Sequence, residues 1–172
     1  MLPRVNPLLA AVAVPPIAEA ASWIKGRVFP PERPLIDLCQ AVPGYPPPIS
    51  LTSHLAERIA EPAMARYTDI LGLPALRQAL ADEAGAFYGA AIAPDQVAIT
   101  AGCNQAYCLA LMALAGPGDE VILPLPYYFN HQMWLDMLGI RARHLAFRPD
   151  RGGVPEPGEA AALIGPRTRA IV

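Results

Sequence analysis

Along the first 48 residues the apolar positions never establish a period, because proline keeps interrupting them: Pro15 and Pro16, Pro30 and Pro31, Pro34, Pro43, then Pro46, Pro47 and Pro48. Proline has no amide donor and a fixed φ, so such a stretch predicts an arm laid over another surface. One short helix fits inside it, over residues 17–25, with Pro16 suited to the first turn. From Leu51 the pattern becomes helical. Leu55, Ile59 and Ala63 recur every four residues and predict a helix over residues 51–64. Residues 73–88 predict a stronger one: Pro74 suits its start, Leu76, Leu80, Ala84 and Phe87 form one apolar face, and Gly89 stops it.

The period then switches repeatedly. Residues 96–100 are a short β-rich run, residues 104–114 a helix ended by Gly116, Pro117, Gly118 and Asp119, and residues 120–123 a short buried strand. A helix over residues 130–138 ends at Gly139. Residues 140–147 suit another strand, residues 157–164 a weak helix, and residues 168–172 a further strand. Short buried strands alternating with helices predict β-α-β units and an α/β fold with a mostly parallel sheet. Ala170, Ile171 and Val172 read as core strand with no polar tail, so the expectation is of a fragment.

Composition narrows the function classes. With 172 residues, 53% hydrophobic, and a formal net charge of -2, the chain suits a globular protein and lacks the basic stripe that a nucleic-acid partner needs. Cys39, Cys103 and Cys108 are odd in number and form no C-x-x-C pair, which points to neither a disulfide framework nor zinc and suits a reducing, cytoplasmic setting. Arg4, the apolar run over residues 8–14 and the Ala18-Glu19-Ala20 triplet imitate a secretory leader, but Pro15 and Pro16 interrupt it, and an arm is the better reading. No apolar stretch is long and clean enough to span a bilayer.

Two junctions carry candidate chemistry. In Ile99-Thr100-Ala101-Gly102-Cys103-Asn104-Gln105-Ala106 a predicted strand ends, small residues turn the chain, and a helix begins. The amides of a helix start favour an anion, and Gly102 lets backbone approach a ligand closely. The same residues also suit an ordinary strand-to-helix turn. In Pro124-Leu125-Pro126-Tyr127-Tyr128-Phe129-Asn130-His131 the chain leaves the next strand at its carboxyl end, where open α/β sheets bind ligands. A flat aromatic there can stack on a ring, or the three aromatics can simply be core and helix-start residues. No G-x-G-x-x-G or G-x-x-x-x-G-K-[ST] is present, which weighs against a nucleotide-binding domain.

Taken in order, four pieces resemble class I/II aminotransferases of the fold-type I, pyridoxal-phosphate-dependent superfamily. They are Tyr67-x4-Gly72-Leu73-Pro74-x-Leu76-Arg77-x-Ala79-Leu80, Gln96-Val97-x2-Thr100-x-Gly102-x2-Gln105-Ala106, Pro117-Gly118-Asp119-Glu120-Val121, and Pro126-x-Tyr128. The likeness runs from about Leu35 to Val172. It implies a three-layer α/β/α sandwich, with residues 1–50 as an arm and the start of a small domain, and residues 51–172 as the first part of a cofactor-binding large domain. It implies pyridoxal phosphate as cofactor, amino acid and 2-oxo acid as substrates, and a homodimer.

The resemblance also implies roles. Gly102, Cys103 and Asn104 match the loop that binds the cofactor phosphate, Cys103 standing where Gly, Ser or Ala is commoner. Tyr128 matches the aromatic stacked on the pyridine ring, and Tyr67 a tyrosine reaching the phosphate held by the other subunit. His131 matches a histidine that supports the aspartate paired with the ring nitrogen, and it equally suits a solvent-facing helix start. Ala41 falls where many members have a glycine against the substrate carboxylate; its backbone can still serve. The Schiff-base lysine and its companions match nothing in these residues. Lys25, the only lysine, lies in the arm and reads as an exposed charge. A lyase or decarboxylase on the same scaffold, or a non-enzymatic regulator domain, are the alternatives.

Overall fold

The structure is a computed structural model and describes residues 4–40 and 42–172. Its contacts divide the chain into two units: one takes in the residues up to Ala18 together with Ala101–Val172, the other Glu19–Thr100.

In the first unit, β1 (Glu120–Pro124) is the central strand of a three-stranded parallel sheet in the order β2-β1-β3, with β2 Arg141–Leu145 and β3 Thr168–Ile171. Glu120 pairs with Arg141 and Pro124 with Leu145, and the β3 side shifts register between Glu120 and Val121. Successive side chains of a strand point to opposite faces. Val121 and Leu123 therefore share one face, where they cluster with Leu111 of α5 (Cys103–Leu114), Leu135 of α6 (Phe129–Met137) and Ile140. Ile122 on the opposite face is fully buried as well. A sheet buried on both faces needs helices on both sides, and parallel sheets occur almost only in that arrangement. The expected α/β architecture with a parallel sheet is what forms. α7 (Pro157–Leu163) packs against β2, and a single-turn helix, α1 (Pro7–Ala10), packs against α6. The periodicity gave no sign of α1. It is held by Asn6, whose side chain accepts from the Leu8 amide at 3.0 Å, and by Pro7 at its first position.

One buried carboxylate knits the strand starts together. Glu120 is 4% exposed. It accepts from Arg167 at 3.0 Å and from Arg143 at 3.3 Å, with Arg141 at 3.8 Å. Neighbouring Asp119 accepts from the Gly116 amide at 3.0 Å and pairs with Arg169 at 3.1 Å. The Gly116 bond, ahead of the arginine, holds its carboxyl below the ordinary aspartate value.

The second unit contains α2 (Ile17–Ile24, most of it), α3 (Ile49–Ile59) and α4 (Pro74–Tyr88). Two expectations are corrected there. The helix predicted to reach Met64 stops at Ile59, because Pro62 cannot continue it and opens a separate 3-10 turn, Pro62–Ala65. The strand predicted at residues 96–100 is not a strand. Pro94–Gln96 is a 3-10 turn, residues 97–100 form no strand, and the Ile99 amide donates to Leu71 O at 2.9 Å. The apolar face expected on α4 is largely open: Leu76 is 48% and Phe87 80% exposed, and the buried residue of the helix is Ala81.

Candidate cofactor site

From Ala101 onward the residues of both candidate junctions belong to the first unit, and there they meet. β1 ends at Pro124, the chain turns through a cis Leu125–Pro126 bond, and α6 begins at Phe129 with Tyr128 as its N-cap. α5 begins at Cys103, with Gly102 as N-cap at φ 87°. Its backbone is one that only glycine adopts without strain, and a Cβ there would meet nothing within 4 Å, so the space beside it is open. Among the described residues this N-cap makes no side-chain capping bond. Its first-turn amides have no partner within the helix, so the amides of Cys103 and Asn104 are available to an anion. The Gln105 side chain folds back to accept from the Ala101 amide at 2.6 Å, which shapes the turn.

The two loops are bonded to each other. Asn130 Nδ2 donates to Asn104 Oδ1 at 3.2 Å and to the Tyr128 hydroxyl at 2.8 Å. The Tyr128 ring is half exposed and stands edge-on to the His131 ring at 5.5 Å. Its remaining open surface is what a stacking platform requires. His131 is stacked on Tyr107 of α5, with centroids 4.2 Å apart and planes 26° from parallel. Burial lowers the pKa of His131 and raises that of the Tyr107 hydroxyl, which has no hydrogen-bond partner among the described residues.

The structure thus brings together Gly102, Cys103, Asn104, Tyr128 and His131. Tyr67 is fully exposed and belongs to the other unit. Ala41 lies outside the described residues. Two neighbours escaped the sequence reading. Tyr107 lies three residues beyond Asn104 on a predicted helix, which placed it on the same face. Asn130 had no comparable signal, since its partners are two and 26 residues away. Among the described residues no group of His, Cys, Asp and Glu could hold a metal ion, and no helix is long and apolar enough to cross a membrane.

Comparison with known proteins finds relatives along most of the chain. The aspartate/prephenate aminotransferase of Thermus thermophilus is 29% identical over 163 residues, 93% of this chain and 42% of that protein. The methionine aminotransferase of Escherichia coli is 29% identical over 170 residues, 97% of this chain and 43% of its own. The crystal structure of aspartate aminotransferase from Thermotoga maritima superposes with a TM-score of 0.81 at 26% identity, covering 97% of this chain and 44% of that one. Alanine aminotransferase from Pyrococcus furiosus gives 0.84 at 26% identity, covering 98% and 43%. The chain spans less than half the length of the relatives it matches. The family model for aminotransferase class I and II matches residues 33–155, well over half of the 172, and with that match this chain belongs to the class I and II aminotransferases.

Proposed function

We propose that the protein carrying this chain is a pyridoxal-phosphate-dependent aminotransferase, moving an amino group from an amino acid to a 2-oxo acid. The observation that supports it most is the meeting of the α5 helix start at Cys103 and Asn104 with the half-exposed Tyr128 ring, in a chain of this family. Those residues fit the cofactor: an anion-binding backbone and an aromatic platform, side by side.

When bound, pyridoxal phosphate supplies an electron sink for the carbanion formed at the substrate Cα. This chain's residues hold and orient. The Cys103 and Asn104 amides bind phosphate oxygens, and Gly102 lets the backbone approach them. Because the donors are amides, the unusual cysteine is tolerated. Tyr128 lies against the ring. His131, neutral through burial, receives or donates a hydrogen bond behind it without adding charge. Tyr67 reaches the phosphate bound by the other subunit of a homodimer, and the Ala41 backbone contacts the substrate carboxylate. Lys25 is not the amine that the chemistry uses; it follows α2 in the arm. Residues 1–50 form the arm and the start of a small domain, and residues 51–172 the first part of the large domain. A cytoplasmic setting suits the three free thiols.

The relatives named above act, by their names, on different amino acids, so the test is a panel. The protein is incubated with pyridoxal phosphate, 2-oxoglutarate and each amino acid in turn, and the products are separated. Formation of glutamate with the matching 2-oxo acid is expected. Release of ammonia or carbon dioxide without glutamate, for every amino acid tried, overturns the transfer reading in favour of a lyase or decarboxylase.

A further inference from the structure

We infer that Asn130 is a positioning residue: its amide locks the Tyr128 ring against the phosphate-binding helix start. The inference rests on the reading of Tyr128 as the ring platform.

Tyr128 is the N-cap of α6, in extended backbone at the end of a loop, and half of its surface faces outward. Phe129 and His131 touch it only at tilted or edge-on angles, at 4.8 and 5.5 Å. Such contacts leave the ring free to turn about its two side-chain torsions. Among the described residues the hydrogen bond that ties the ring down is the 2.8 Å one its hydroxyl accepts from Asn130 Nδ2. A primary amide nitrogen carries two hydrogens. Asn130 directs the second to Asn104 Oδ1 at 3.2 Å, in the first turn of α5. One side chain therefore fixes the distance between the ring platform and the helix start that takes the phosphate, and a ligand spanning both meets a preset separation. The direction of donation has a further consequence. Because the Tyr128 hydroxyl accepts from Asn130, its own proton remains to be donated elsewhere.

Asn104 and Asn130 border a cavity of about 240 Å³ with Met133, Trp134 and Met137, so one side of the amide pair faces open space. The same cavity means that shortening Asn130 enlarges an existing space and removes no core contact, which keeps the variant foldable.

The test is a double-mutant cycle on the protein, read by its dissociation constant for pyridoxal phosphate. Asn130→Ala and Tyr128→Phe are each expected to weaken binding by about three- to tenfold, the span of one hydrogen bond. The double variant is expected to be no weaker than the weaker single one, since both changes break the same bond. The visible circular dichroism of the bound cofactor should fall in both single variants, because the ring beside it is no longer held at one angle. Multiplying effects in the double variant, or an Asn130→Ala protein that matches the parent in affinity and dichroism, overturns the inference. Tyr128→Ala separates this from the underlying reading. If Tyr128→Ala binds as the parent does, Tyr128 is not the platform and both ideas fall. If it weakens binding while Asn130→Ala does not, only the role of Asn130 falls.

Discussion

His131 shows how one side chain joins the packing to a measurable property. Stacked on Tyr107 and partly enclosed, it is held below its ordinary pKa by burial. The unfolded chain takes up a proton near the ordinary value, about 6.5, while the folded chain refuses it until a lower pH. The stability contributed is complete above that value and is lost as the pH falls through the folded pKa. The urea midpoint should therefore drop on acidification from about pH 7 to about pH 5, and His131→Gln should flatten that drop. An identical slope in parent and variant would place the pH dependence elsewhere. Tyr128 was legible as one of three aromatics after a buried strand, while His131, and the particular role of Tyr128, came from the family resemblance. That the histidine meets a tyrosine from a different helix was not legible, because nothing in linear order links residues 107 and 131.

Among the elements, the run after Pro94 is the instructive one. Its β-rich residues read as a strand, yet strand status depends on a partner's backbone, and sequence carries no statement of pairing. Its link to a distant segment is the Ile99 amide, which donates to Leu71 O, beside Gly72. Gly72 has φ 98°, and a Cβ added to it would lie 2.6 Å from Ile99 Cγ1 and 2.7 Å from its Cβ. Gly72→Ala combines a strained backbone with a clash against a branched side chain at its stiff end. We expect a loss of about 2–4 kcal/mol in chemical denaturation. A loss below about 0.5 kcal/mol, the range of neutral surface changes, would show that this segment gives way freely. The strand starts offer a second expectation. Glu120 accepts from Arg143 and Arg167, both well exposed, so their attraction is screened, but the carboxylate itself is buried. Glu120→Ala should cost about 1–3 kcal/mol, mostly from lost charge-assisted hydrogen bonds at the junction of three strands. High salt should leave most of that difference intact, because the acceptor is out of solvent.

For the whole molecule, the striking balance is between a small core and much open apolar surface. Apart from Ala81 of α4, the buried core residues gather around β1, whereas Leu38, Ile49, Ile59, Tyr67, Ile70 and Phe87 are each at least 79% exposed. A single copy of this chain does not cover those residues, and large apolar side chains left open in such number suit an interaction surface. The proposed homodimer accounts for part of it. Sedimentation of the protein carrying this chain should give a dimer at micromolar concentration; a strict monomer that still binds pyridoxal phosphate would remove the dimer and with it the role of Tyr67.

The parallel α/β class, most of the alternation of helix and strand, and the two candidate junctions were readable from the chain alone. Each of these rests on local signals: hydrophobic period, proline and glycine placement, and a helix start after small residues. Tertiary structure decided what depends on partners distant in the chain. It withheld strand pairing from residues 97–100, buried Glu120 among arginines 23 and 47 residues away, and set Asn130 between Asn104 and Tyr128. Hydrogen bonds and burial between remote residues follow from the path of the backbone in space, and no pattern of neighbouring residues encodes that path.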